Sequence, residues 1–177
     1  GPPQVRVGGY LPLAPVCGAM DALATLATAL WVMLPAYVPN NAAVLAGGGP
    51  PIDGGRTWGD RRLLGYGKTW RGLAAGLLVG ALVALALNQG HAAVEGVVTA
   101  GPFPAGAVVG LPLGALFGDV GASFLKRRTG RERGAPFPGV DQLDFVVGAV
   151  VVTLALAPTW TLATFSLPIL AVVLVVT

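Results

Sequence analysis

Three aspartates and two clusters of cations carry the chemical potential of this sequence. Asp119 stands seven residues before Lys126 in an otherwise apolar run, with Ser123 between them. At helical spacing Asp119, Ser123 and Lys126 share a face, and Asp119 lies about 10 Å deeper than the basic end. An ionisable group inside an apolar helix is costly, so it reads as a site or as half of a pair facing other helices. Asp141 and Asp144 are three residues apart and share a face if a helix begins there; its N-terminus would favour their anions. Three carboxylates among ten basic residues suit magnesium held by carboxylate and phosphate oxygens, with Lys and Arg neutralising the remaining charge. Two plainer readings stay open: solvated helix caps for Asp141 and Asp144, and an arginine partner for Asp119.

A second signal precedes the run that starts at Arg71. Gly65-Tyr66-Gly67-Lys68-Thr69-Trp70-Arg71-Gly72 puts a flexible backbone, a hydroxyl and two cations in front of a helix. Free N–H groups at such a terminus attract phosphate, and Lys68 can approach it as a point charge. The segment is not a Walker A loop, because position 62 is Arg where that spacing demands Gly. A simple N-cap with a basic flank is the plainer alternative. Asn40-Asn41 and Pro50-Pro51-Ile52-Asp53-Gly54-Gly55 read as turn-forming approaches to this segment and identify no chemistry by themselves.

The elements that must position these residues follow from composition. Of 177 residues, 54% are hydrophobic and only 11% charged, with mean hydropathy +0.73. Soluble domains carry roughly a quarter charged residues, so a water-soluble globule is excluded. The single Cys17 rules out an internal disulfide and a cysteine-held zinc, and isolated His91, Met20 and Met33 give no redox-metal site. Basic character in an apolar chain reads as topology, and no nucleic acid partner is expected. Apolar runs near 15–38, 71–94, 102–125, 139–157 and 160–177 predict an all-α integral membrane protein of five transmembrane helices, the last two divided at Pro158-Thr159-Trp160. The chain reads as one membrane-embedded domain over 1–177.

Arg56, Arg61, Arg62, Lys68 and Arg71 fall in one connection, near 40–71; Lys126, Arg127, Arg128, Arg131 and Arg133 fall in another, near 126–139. By the positive-inside rule both basic loops face the cytoplasm. An odd number of spans then places the N-terminus outside and the C-terminus inside a multi-pass cell-membrane protein.

These residues, in this order, resemble the archaeal CDP-archaeol synthases, relatives of the bacterial and eukaryotic CDP-diacylglycerol synthases. The resemblance covers nearly the whole chain. It is most specific at Gly118-Asp119, at Ser123 to Arg128 and at Pro138-Gly139-Val140-Asp141-Gln142-Leu143-Asp144-Phe145, with support from Pro39-Asn40-Asn41, Asp53-Gly54-Gly55 and Gly67 to Gly72. It implies a CTP-dependent cytidylyltransferase acting on an archaeal ether-lipid phosphate, 2,3-bis-O-geranylgeranylglycerol 1-phosphate, in contact with membrane lipids. The products would be unsaturated CDP-archaeol and pyrophosphate, and the cofactor Mg2+, with two ions expected. The implied catalytic set is Asp119, Asp141, Asp144 and Lys126, the three aspartates being the metal ligands. Lys68, Thr69, Arg71, Ser123, Arg127 and Arg128 would attend the nucleotide. A CDP-alcohol phosphatidyltransferase is a weaker match, because its Asp-Gly-x-x-Ala-Arg signature is missing. A transporter of anionic lipid or nucleotide is the alternative from another class.

Overall fold

The structure, a computed structural model, describes residues 14–59, 61–129 and 139–177, with side chains from residue 21 onward except those of Val140 and Asp141. Its order is α1 (Ala14–Leu45), a short hairpin of β1 (Thr57–Trp58) and β2 (Arg61–Arg62), α2 (Trp70–Val94), α3 (Ala105–Arg128), α4 (Val140–Leu156), α5 (Pro158–Thr164) and α6 (Leu167–Val176).

The expectation of five transmembrane helices is corrected. Three helices are long and apolar enough to cross a bilayer: the Asp21–Leu45 part of α1, α2 and α3. A fourth is reached only if α5 and α6, bent by 78° to each other, count as one span. The apolar stretch after Asp144 has two interruptions, of which the first, at Pro158, falls where the division was expected. Helix α4 starts only after Gly139, whose φ of 81° is left-handed, and ends before Pro158, so its 17 residues rise about 25 Å against a core of about 30 Å. The second interruption is Phe165–Ser166, ahead of Pro168.

Other boundaries also move. Helix α1 continues through Pro35, Pro39 and the asparagines that were placed in the first loop. Each proline removes an N–H from the helical ladder, which a helix in apolar surroundings tolerates when neighbours cover the freed groups. Helix α3 runs on through Arg128, so Lys126, Arg127 and Arg128 are helical rather than part of a loop. The first basic connection carries the small hairpin, which an all-α reading did not anticipate.

Two glycine rows bring the helices together. On α2, Gly72, Gly76, Gly80 and Ala84 are buried at four-residue intervals, and a Cβ on Gly76 would lie 2.7 Å from the Pro39 carbonyl of α1. On α3, Gly106, Gly110, Gly114 and Gly118 repeat the spacing against α4, where added Cβ atoms would strike Leu156, Thr153, Gly148 and the Asp144 carbonyl in turn. In lipid, close backbone approach supplies the packing that hydrophobic exclusion supplies in water. The ends of α2 and α3 away from the basic segments are fastened by polar contacts. Asn88 exchanges hydrogen bonds of 2.9 and 2.8 Å with the Phe103 backbone, and His91 pairs with the Ala100 carbonyl at 2.8 Å.

Gly114→Val is expected to cost about 1–3 kcal/mol of stability through overpacking against Gly148. Gly121→Ala, where an added Cβ meets nothing within 4 Å, should be neutral or mildly stabilising. Thermal unfolding in detergent checks both, and equal behaviour of the two variants would contradict the close-approach account.

Candidate functional site

The loop between α1 and α2 is built around one carboxylate. Asp53 Oδ1 accepts from the Gly55 N–H at 3.0 Å and from Arg62 Nη2 at 2.6 Å, while Oδ2 accepts from the Leu64 N–H at 3.1 Å. Its side chain is 1% exposed, and Arg62 also stacks 4.0 Å from the Tyr66 ring centroid. Burial pushes the Asp53 carboxyl upward, but the Arg62 guanidinium and the two N–H donors outweigh it and hold the group below its ordinary 3.8. Arg62 is raised in turn, chiefly by its bond to Asp53. Two backbone bonds, Ile52 N–H to the Lys68 carbonyl at 2.9 Å and Trp70 N–H to the Pro50 carbonyl at 3.3 Å, join this core to the start of α2. Thr69 caps α2 by accepting from the Gly72 N–H at 3.1 Å.

From this frame Lys68 reaches α3 and pairs with Asp119. The pair sits in a narrow cleft of about 40 Å³ whose walls include Asn40 of α1, Thr69 and Gly72, and Leu116 of α3. Asn40 lines this cleft, and its carboxamide oxygen is buried without a hydrogen-bond partner. A second concavity, an apolar groove of about 680 Å³, runs between α3 and α4 along Phe117, Leu125, Val147 and Val151, with Asp144 and Gly139 on its wall.

The expected site residues divide among these features. Lys68, Thr69 and Asp119 meet in the cleft. Asp144 lies on the groove, its Oδ1 accepting from the Phe145 N–H at 2.6 Å; its backbone abuts Gly118, the residue before Asp119. The Asp141 side chain lies outside the described residues, as do Arg131 and Arg133. Among the described residues no three acidic, histidine or cysteine side chains converge as a metal cluster. Ser123, Lys126 and Arg127 are half-buried on the last turns of α3, and Arg71 is exposed on the first turn of α2. Arg128 turns away to the hairpin, donating to the Trp58 and Arg62 carbonyls at 2.9 and 3.0 Å. Both basic segments thus adjoin one end of the bundle. Asn40 and Asp53 were missed as site residues; an asparagine inside an apolar helix and an acid within a basic loop were the available signals.

Helices long and apolar enough to cross a bilayer, with a cation–carboxylate cleft at one end, define a multi-pass integral membrane protein. The family model described as CDP-archaeol synthase matches residues 22–177. CDP-archaeol synthase of Natronomonas pharaonis is 56% identical over 164 residues, covering 86% of this chain and 87% of that protein. That of Halobacterium salinarum is 58% identical over 161 residues, covering 89% and 88%. A solved structure, described as an intramembrane enzyme for archaeal membrane lipids biosynthesis, matches with TM-score 0.62 and 38% identity, covering 83% of this chain and 89% of that one. The chain belongs to the CDP-archaeol synthase family.

Asp53 bears on stability through its depressed pKa. An acid held below its unfolded value stabilises above that value, and the contribution is lost as pH falls through the folded one. Asp53→Asn should therefore unfold more readily than the parent at neutral pH, by a margin that is flat above about pH 5 and closes below about pH 4. Unfolding midpoints across that range check the sign; a margin that grows on acidification would contradict it.

Proposed function

We propose that the Lys68–Asp119 cleft receives the triphosphate of CTP and that the α3–α4 groove holds the lipid, so that the two substrates meet at the charged end of α3. The protein is an enzyme that transfers CMP from CTP to an archaeal lipid phosphate and forms CDP-archaeol. The observation that carries the assignment of sites is the shared cleft itself, where Lys68 pairs with Asp119 and Asn40 lines the wall. A phosphate enters so narrow a space by loosening the ion pair, leaving Lys68 on the phosphate and the Asp119 carboxylate open to a cation.

In the proposed reaction, a lipid phosphate oxygen forms a bond to the alpha phosphorus of CTP while the bond from that phosphorus to the bridging oxygen breaks, and pyrophosphate leaves. The nucleophile is already an oxyanion, so no strong base is required; alignment and charge neutralisation carry the step. Lys68 neutralises phosphate charge, and the Thr69 cap keeps its backbone at the start of α2. Lys126, Arg127 and Arg71 add positive potential around the same end.

The donor set fits magnesium, which takes one or two carboxylates together with phosphate oxygens and waters rather than a cage of protein ligands. Asp119, Asp144 and Asp141 would hold it, two ions being the expected number, and it would supply charge stabilisation for the departing pyrophosphate. The groove is apolar along its length and bounded by Asp144, which suits isoprenoid tails below a phosphate. We assign 2,3-bis-O-geranylgeranylglycerol 1-phosphate as the lipid on the family resemblance. All eight basic residues whose side chains are described, Arg56, Arg61, Arg62, Lys68, Arg71, Lys126, Arg127 and Arg128, lie in the loop at this end of the bundle or on its adjoining helical turns, so we place it in the cytoplasm and the N-terminal end of α1 outside. Thr177 lies 3.3 Å from the Tyr37 hydroxyl, and Tyr37 packs on Phe145 near the start of α4, so we place the C-terminus on the cytoplasmic side too.

Purified protein with CTP, magnesium and the ether-lipid phosphate is expected to yield a CDP-lipid and pyrophosphate, detected by mass. Lys68→Ala and Asp119→Asn should each lose about 10-fold or more in kcat/KM, or about 1.4 kcal/mol of transition-state stabilisation. Folded variants with parent-like turnover at limiting magnesium would contradict the site; passage of substrate across sealed vesicles without CTP turnover would contradict the reaction.

A further inference from the structure

Arg128 was expected on the nucleotide, yet its guanidinium is committed elsewhere. Nη1 donates to the Trp58 carbonyl at 2.9 Å; Nη2 donates to the Arg62 carbonyl at 3.0 Å and, more weakly, to that of Arg61 at 3.4 Å. The same group lies 5.4 Å from the Trp58 ring centroid and 5.6 Å from that of Phe124. It therefore spans both strands of the hairpin. Those strands are two residues each, and an isolated hairpin of that size does not hold itself together in water. Two clamps supply what the strands lack: Asp53 within the loop and Arg128 from α3.

The loop consequently touches α3 at two heights. Arg128 lies nine residues beyond Asp119, about 13 Å along the helix. Between these anchors the path is continuous: Arg62 binds Asp53, Asp53 binds the Leu64 N–H, and the neighbouring Ile52 N–H binds the Lys68 carbonyl. We propose that Arg128 is a positioning residue, which sets the hairpin against the end of α3 and thereby holds Lys68 at Asp119. A lysine does not replace it, because its three N–H donors share one nitrogen, whereas the planar fork sets Nη1 and Nη2 at separate carbonyls. The catalytic consequence rests on reading Lys68 as the phosphate-binding cation, whereas the clamp itself does not.

The test uses full-length protein in detergent and two independent readouts. Without nucleotide, amide hydrogen exchange at Ile52, Leu63 and Leu64 is expected to accelerate about 10-fold or more in Arg128→Ala and in Arg128→Lys. With substrates, Arg128→Ala should lower kcat/KM for CTP about 10-fold in the parent but less than about 2-fold in a Lys68→Ala background, because both changes disable the same contact. Unchanged exchange, or losses that multiply in the double variant, would overturn the proposal and make Arg128 a direct phosphate ligand. If Arg128→Ala does not fold, Arg128→Lys decides alone: slower turnover with faster exchange supports the fork, and parent-like values in both overturn it. A parent that turns over no CTP would contradict the functional reading, while the exchange comparison would still decide whether Arg128 holds the hairpin.

Discussion

The pair between Lys68 and Asp119 ties the loop before α2 to the interior of α3. A carboxylate within an apolar helix requires a partner, and the nearest cation belongs to another element, so satisfying Asp119 draws the loop onto the bundle. The pair is only partly shielded, with side chains 24% and 30% exposed, so a competing polyanion can reach it. It is thus a structural tether and, on the proposed function, a contact that substrate would displace.

The tether operates only because the helices approach closely enough. Rows of glycine on α2 and α3 remove the side chains that would otherwise hold α1 and α4 away. Gly118 illustrates the coupling of packing to chemistry: its missing side chain lets the Asp144 backbone abut α3 one residue before Asp119. The cleft and the groove therefore occupy neighbouring faces of one helix end. A reaction between a soluble nucleotide and a membrane lipid needs such a junction, where a polar recess and an apolar channel share a wall.

Much of this was legible in the sequence because charge is scarce. Asp119 stood out against its apolar run, the basic residues fell into two groups, and the run expected from Arg71 begins one residue earlier, at Trp70. The partner of Asp119 was less legible: an arginine was the plainer alternative, while the structure selects Lys68, 51 residues away. The first apolar run was expected to end near 38, but α1 continues to Leu45, its prolines at 35 and 39 packed against the α2 glycines. The division at Pro158 was legible, but the count of five spans failed because α4 is only 17 residues long and hydropathy does not register the break at Phe165–Ser166, a backbone event. Asp53 was overlooked because its role depends on hairpin contacts with Arg62 and Leu64 that residue type alone does not encode.

The central claim is that Lys68 and Asp119 act as one unit. A double-mutant cycle measures it directly: unfolding of the parent, Lys68→Ala, Asp119→Ala and the double variant in detergent without nucleotide. For a partly exposed pair the expected coupling is about 0.5–1 kcal/mol, so the double variant loses less than the sum of the single losses. Strictly additive losses would show that the two residues do not meet, and would contradict the tether and the site built on it.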